Sequence, residues 1–89
     1  MEETNTRLFV GNLPFRTSRE ELEELFAQAG NVVSVHIPTD RETGRPRGFG
    51  FVEMGELSEL ERAVELFNGY SLEGRALVVN QARPRQERN

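Results

Sequence analysis

Phe49 and Phe51 alternate with small residues in the octapeptide RGFGFVEM (Arg47–Met54), and Phe9 lies in a second alternating stretch, LFVGNL (Leu8–Leu13). Successive side chains of a strand point to opposite faces. Phe49, Phe51 and Glu53 therefore share one face, and Gly50, Val52 and Met54 the other. If both stretches are central strands of one sheet, three phenyl rings share one surface, where they can stack on other flat π systems. Reaction chemistry has less to draw on. His36 is the only histidine, there is no cysteine, and no nucleophile stands beside a base. No enzyme, metal site or cofactor is expected, and a disulfide framework is excluded.

The elements that position these rings follow from periodicity. Arg7–Gly11 reads as a first strand with Leu8 and Val10 inward. Ser18 followed by Glu21 is a capping box that opens a helix over Arg19–Phe26, whose apolar stripe is Leu22, Leu25 and Phe26, with Gly30 as its stop. Val32–Ile37 is a second strand in which Val33, Val35 and Ile37 share one parity and Val32, Ser34 and His36 the other. Pro38–Pro46 is a charged, turn-rich loop, and Arg47–Met54 is the third strand. Ser58 and Glu61 form a second capping box for a helix carrying Leu60, Ala63, Val64 and Phe67, stopped by Asn68 and Gly69. Tyr70–Arg75, with its Glu73–Gly74 turn pair, makes a short hairpin into a fourth strand, Ala76–Ala82, with Leu77 and Val79 inward and Val78 and Asn80 outward. The order is βαββαβ: an α+β, ferredoxin-like sandwich in which two helices cover one face of a four-stranded antiparallel sheet. Residues 1–6 and 85–89 read as disordered flanks of a domain spanning 7–84. A domain this small buries only about 60 to 65 per cent of its unfolded surface, so modest stability is expected.

The two phenylalanine stretches resemble the signature motifs of the RNA recognition motif family, the longer of which reads Lys/Arg, Gly, Phe/Tyr, Gly/Ala, Phe, Val, any residue, Phe/Tyr. Arg47 to Val52 match it in register. Met54 departs, at a core-facing position where Met for an aromatic is a packing change. The likeness covers roughly Arg7 to Pro84 and is greatest to the small bacterial and cyanobacterial proteins with one such domain. It implies single-stranded RNA as the partner: Phe9 and Phe49 as stacking platforms for two bases or against ribose, Phe51 against sugars between them, Arg47 on phosphate, and Asn80, Gln81, Ala82 and Arg83 offering side-chain and backbone hydrogen bonds to base edges. His36 reads equally as an exposed strand residue or a stacking one. Arg41 and Arg45 read as solvated loop charges or phosphate contacts. Glu53 would repel phosphate, accept from a base amino group, or limit the footprint. Gly48 and Gly50 mark close backbone approach or unusual dihedrals.

The ordinary alternative for the three rings is a core. Leu8, Val10, Val52, Leu77, Val79 and the helical stripes already supply one, and no third layer remains to cover the other face, so exposed rings there imply a ligand. The net charge of −4 argues against nucleic acid as a sum, but its distribution does not. The two helical segments, Arg19–Phe26 and Glu56–Leu66, carry eight Glu against two Arg, and the remainder nine Arg against seven acids. With the acid on the far side, the sheet is mildly basic, and about micromolar affinity with modest salt dependence is expected, for RNA and more weakly for single-stranded DNA. A monomer is expected, with protein partners possible.

Two other classes remain. A protein-interaction module of similar fold would use the acidic helical face and an Arg, any, Phe motif, but the matching place reads Arg75, Ala76, Leu77. Acylphosphatases share the βαββαβ plan without a constellation found here. No run of residues is apolar enough to span a membrane, and MEETNT is unlike a signal peptide, so the cytoplasm is expected, or the nucleus in a eukaryote.

Overall fold

The computed structural model describes residues 5–45 and 47–82. Eight elements run in chain order: β1 (Arg7–Gly11), α1 (Arg19–Phe26), β2 (Val32–His36), β3 (Phe49–Met54), α2 (Leu57–Phe67), β4 (Ser71–Leu72), β5 (Arg75–Ala76) and β6 (Val78–Gln81). The main sheet has the order β2-β3-β1-β6 with every neighbouring pair antiparallel. β1 and β3 are thus central. The helices lie on one face, α1 against β2 and α2 against β6 and β3, giving the ferredoxin-like βαββαβ plan.

Strand alternation and helical stripes converge on the layer between sheet and helices. Leu8, Val10, Val52 and Val79 are fully buried there, as are Leu22 and Phe26 of α1 and Ala63 of α2. Met54 is buried too, as its parity requires. Phe26 and Phe67 meet with ring centroids 4.8 Å apart, so the two helices pack through aromatic contact. Each such buried Val, Leu, Met or Phe side chain contributes about 1.5 to 3 kcal/mol relative to exposure, which makes this layer the core without help from the opposite face.

Local chemistry sets the element ends. The Ser18 capping box forms as expected: the Ser18 hydroxyl accepts from the Glu21 N–H and the Glu21 carboxylate from the Ser18 N–H, both at 3.1 Å. The second helix starts differently. Glu59, not Glu61, reaches back, accepting from the Glu56 N–H at 3.1 Å, so α2 begins at Leu57 and Ser58 lies inside its first turn. α1 gives way at Ala27 to a turn ahead of Gly30.

Three strand boundaries also move. β3 begins at Phe49 rather than Arg47 because Gly48 has φ +91°, a left-handed conformation that interrupts extended backbone. β2 ends at His36 and has a register shift between Val32 and Ser34. The shift lets Val32 pack on the core with Val35 and Ile37 while Val33 is left exposed. The fourth long strand divides. Arg75 and Ala76 pair with Ser71 and Leu72 in a separate hairpin, turned at Glu73 (φ 53°) and Gly74 (φ 84°), and Val78–Gln81 alone completes the main sheet.

Candidate nucleic-acid interface

The face away from the helices belongs to the odd-numbered residues of β1 and β3. Phe9 stands directly across from Phe51, and Gly11 across from Phe49. Strand pairing thereby brings Phe9 beside two rings that lie 40 and 42 residues further along the chain. Their centroids form a nearly equilateral triangle: 5.8 Å from Phe9 to Phe49, 6.0 Å from Phe9 to Phe51 and 5.8 Å from Phe49 to Phe51. Phe9 and Phe49 are 29° from coplanar, whereas Phe51 presents its edge to both. All three are half-buried, while their strand neighbours Leu8, Val10 and Val52 on the other face are fully enclosed.

Two glycines make room for the arrangement. Gly48 turns the chain into β3 while its carbonyl accepts from the Leu13 N–H at 2.9 Å, tying the loop after β1 to the start of β3. Gly50 lies so close to β2 that a Cβ would stand 3.1 Å from the His36 carbonyl oxygen and 3.2 Å from Ile37 Cγ1. Of the two alternatives expected for these glycines, Gly48 shows the unusual dihedral and Gly50 the close approach.

Two hollows flank Phe51. One, of about 340 Å³, is lined by Phe9, Phe51, Asn80, Gln81 and Ala82. Asn80 is exposed and opposite Phe9, so its amide borders the ring as its parity implies. Gln81 and Ala82 differ from the expectation of free hydrogen-bonding groups. The Gln81 side-chain amide donates to the Asn5 carbonyl at 2.6 Å. The Ala82 N–H donates to the Arg7 carbonyl at 2.7 Å, its carbonyl accepts from the Asn5 side chain, and the residue is buried. The chain entering β1 runs alongside the chain leaving β6 and occupies these groups. Arg83 lies outside the described residues.

The second hollow, of about 280 Å³, is lined by Arg7, Ser34, His36, Phe51 and Glu53. His36 is exposed and across from Phe51, and Glu53 is exposed between Arg7 and Ser34, the residues it opposes on β1 and β2. The Ser34 hydroxyl donates to Glu53 Oε1 at 3.3 Å. The Arg7 guanidinium carbon sits 4.4 Å from the Phe51 centroid, a cation–π contact. Arg7 was legible in principle, since it shares parity with Phe9. Arg45 and Arg47 are exposed at the loop end of the sheet, where the Arg47 N–H donates to the Pro38 carbonyl at 3.1 Å.

One aromatic escaped sequence reasoning. Phe15, 58% exposed, lies in the loop after β1 with the Arg75 guanidinium carbon 5.7 Å from its centroid, and Arg75 donates to Asn12 Oδ1 at 3.0 Å. The contact joins residues 60 apart, and no local pattern announces it. Elsewhere, Glu21, Glu24, Leu25, Gln28, Leu72 and Glu73 line an acidic hollow beside α1. Leu77, which stands where an interaction module would carry Phe, is buried. Among the described residues no group of three or more His, Cys, Asp or Glu could hold a metal ion.

The family model for the RNA recognition motif matches residues 8–78. The chain belongs to the RNA recognition motif family. It is 49% identical over 81 residues to the putative RNA-binding protein RbpA of the cyanobacterium Nostoc sp., spanning 91% of this chain and 79% of that protein. It is 52% identical over 82 residues to the chloroplastic RNA-binding protein CP29B of Arabidopsis thaliana, spanning 92% of this chain but only 28% of that longer relative. The crystal structure of RNA-binding protein PG1 superposes with a TM-score of 0.86 at 45% identity, over 92% of this chain and 99% of that one. No helix among the described residues is long and apolar enough to cross a membrane.

Proposed function

We infer that this protein binds single-stranded RNA on the open face of its sheet, and that Phe9 and Phe49 stack two bases while Phe51 packs against the intervening sugars. The observation that carries this is the triangle of half-buried rings on the central strands, set opposite a core already complete on the helical side. Stacking on an aromatic side chain is worth about 1 to 3 kcal/mol per base and is indifferent to base identity. Asn80 borders the platform and reads base edges; contact at Gln81 or Ala82 exchanges a bond now made to Asn5 or Arg7. Arg45 and Arg47 meet phosphates at the loop end, and His36 flanks the base or sugar over Phe51. The activity is binding without catalysis, by a monomer whose binding domain spans residues 7–84, with single-stranded DNA a weaker ligand. Likeness to RbpA supports a cytoplasmic setting in a bacterium, in post-transcriptional regulation or RNA chaperoning.

Mapping amide chemical shifts while unlabelled single-stranded RNA is added tests the surface directly. Shifts concentrated on β1, β3 and β6 are expected. Shifts concentrated on α1 and the β4–β5 hairpin, with the strands unmoved, would refute the reading and point to the acidic hollow instead.

A further inference from the structure

We propose that the hollow formed by Arg7, Ser34, His36, Phe51 and Glu53 is a guanine-selective subsite, with Glu53 its specificity-determining residue. The proposal rests on the sheet being the RNA-binding face and adds a base preference that stacking cannot supply.

A carboxylate on the RNA-binding face of a sheet, near the end of β3, is unfavourable toward phosphate but can accept from a base's N–H donors. Glu53 is exposed on β3, with Arg7 directly opposite on β1 and Ser34 on β2. The Ser34 hydroxyl donates to Oε1 at 3.3 Å and so restrains the carboxylate on the β2 side. The Arg7 guanidinium is held over the Phe51 ring at 4.4 Å, on the neighbouring side. The hollow therefore offers a base an acceptor pair from Glu53 beside a donor fork from Arg7.

Unpaired bases expose their Watson–Crick edges to such groups. Guanine presents, in order, the O6 acceptor, the N1–H donor and the N2 amino donor, which is the complement of a guanidinium followed by a carboxylate. Adenine presents the N6 amino group to the guanidinium and the N1 lone pair to the carboxylate, so both contacts become repulsive. Cytosine has one amino donor followed by two acceptors, and uracil a single N–H between two carbonyls. Only guanine has two adjacent donors for the carboxylate fork. The cross-strand neighbours Arg7 and Glu53 also offset each other's charge, which lowers the penalty of carrying a carboxylate on this face.

The test is titration of the full chain with oligouridine octamers carrying one central guanosine, inosine or adenosine. Inosine keeps O6 and N1–H but lacks the N2 amino group. Guanosine is expected to bind about tenfold or more tighter than adenosine, with inosine between them. Glu53→Gln, at an exposed position that leaves the core intact, is expected to abolish the guanosine advantage over inosine while leaving adenosine binding equal or stronger. Phe9→Ala weakens all three oligomers alike. Equal wild-type affinity for guanosine and adenosine, or an undiminished guanosine preference in Glu53→Gln, overturns the subsite while leaving the stacking platform standing. Failure of the wild type to bind any of the oligomers overturns both.

Discussion

Phe9 and Phe51 face each other across two strands, and their ring separation of 6.0 Å follows from pairing geometry rather than from any contact local in the sequence. What permits that pairing to sit so tightly against β2 is Gly50. A methyl group there would press on the His36 carbonyl at 3.1 Å, and backbone cannot swing aside as a side chain can. Gly50→Ala is therefore expected to destabilise the fold by about 1 to 3 kcal/mol in urea unfolding; an unchanged midpoint would show that β2 has slack. The rings, Asn80 and the two glycines were legible in the sequence because strand parity and motif spacing are local properties. Parity also puts Arg7 on this face, but its stacking over Phe51, like Arg75 beside Phe15, was not legible, because each contact joins residues far apart in the chain through side-chain geometry. Nor was the loss of Gln81 and Ala82 to Asn5, which depends on how the chain approaches β1.

Among the elements, the start of α1 was readable because Ser18 and Glu21 satisfy each other's backbone donors, while its end falls at Phe26, short of the Gly30 stop. The residue before that cap, Thr17, is 5% exposed and its hydroxyl has no hydrogen-bond partner among the described residues. It holds the position at which an apolar side chain staples to the first turn of a helix. Thr17→Val keeps the shape and removes the unsatisfied hydroxyl, so a gain of about 1 kcal/mol is expected from thermal or urea melts. The hairpin between β4 and β5 has the opposite defect. Glu73 adopts φ 53° ahead of Gly74, the pattern of a turn that favours Asn-Gly. Glu73→Asn should stabilise by about 0.5 to 1 kcal/mol, read as a higher melting temperature. α2 was misjudged by two residues because Ser58 with Glu61 and Glu56 with Glu59 are competing frames, and the second frame prevails where α2 leaves β3 after Gly55. The division of the fourth strand was likewise invisible locally. It comes from the Leu77 N–H donating to the Tyr70 carbonyl at 2.9 Å, which turns that residue away from the ladder and into the core.

For the whole molecule, the sheet order β2-β3-β1-β6 puts the two motif-bearing strands in the centre and the acidic helices behind them. A chain of net charge −4 can then bind a polyanion, because the acids Glu20, Glu21, Glu23 and Glu24 lie on a helix packed against the opposite face. On the proposed reading, stacking rather than phosphate neutralisation carries most of the affinity. The logarithm of the binding constant should accordingly fall with the logarithm of salt concentration at a slope of only about −1 to −2, two or so phosphate contacts' worth; a slope of about −5 would place the affinity in charges that this reading does not use. The measurement closest to the central claim is a titration of labelled single-stranded RNA pools with the wild-type chain and with the Phe9→Ala, Phe49→Ala double variant, each first shown to be folded. Loss of about 2 kcal/mol or more in the folded variant is the result expected if two bases stack on those rings. Equal binding by the folded variant would contradict the platform and with it the account.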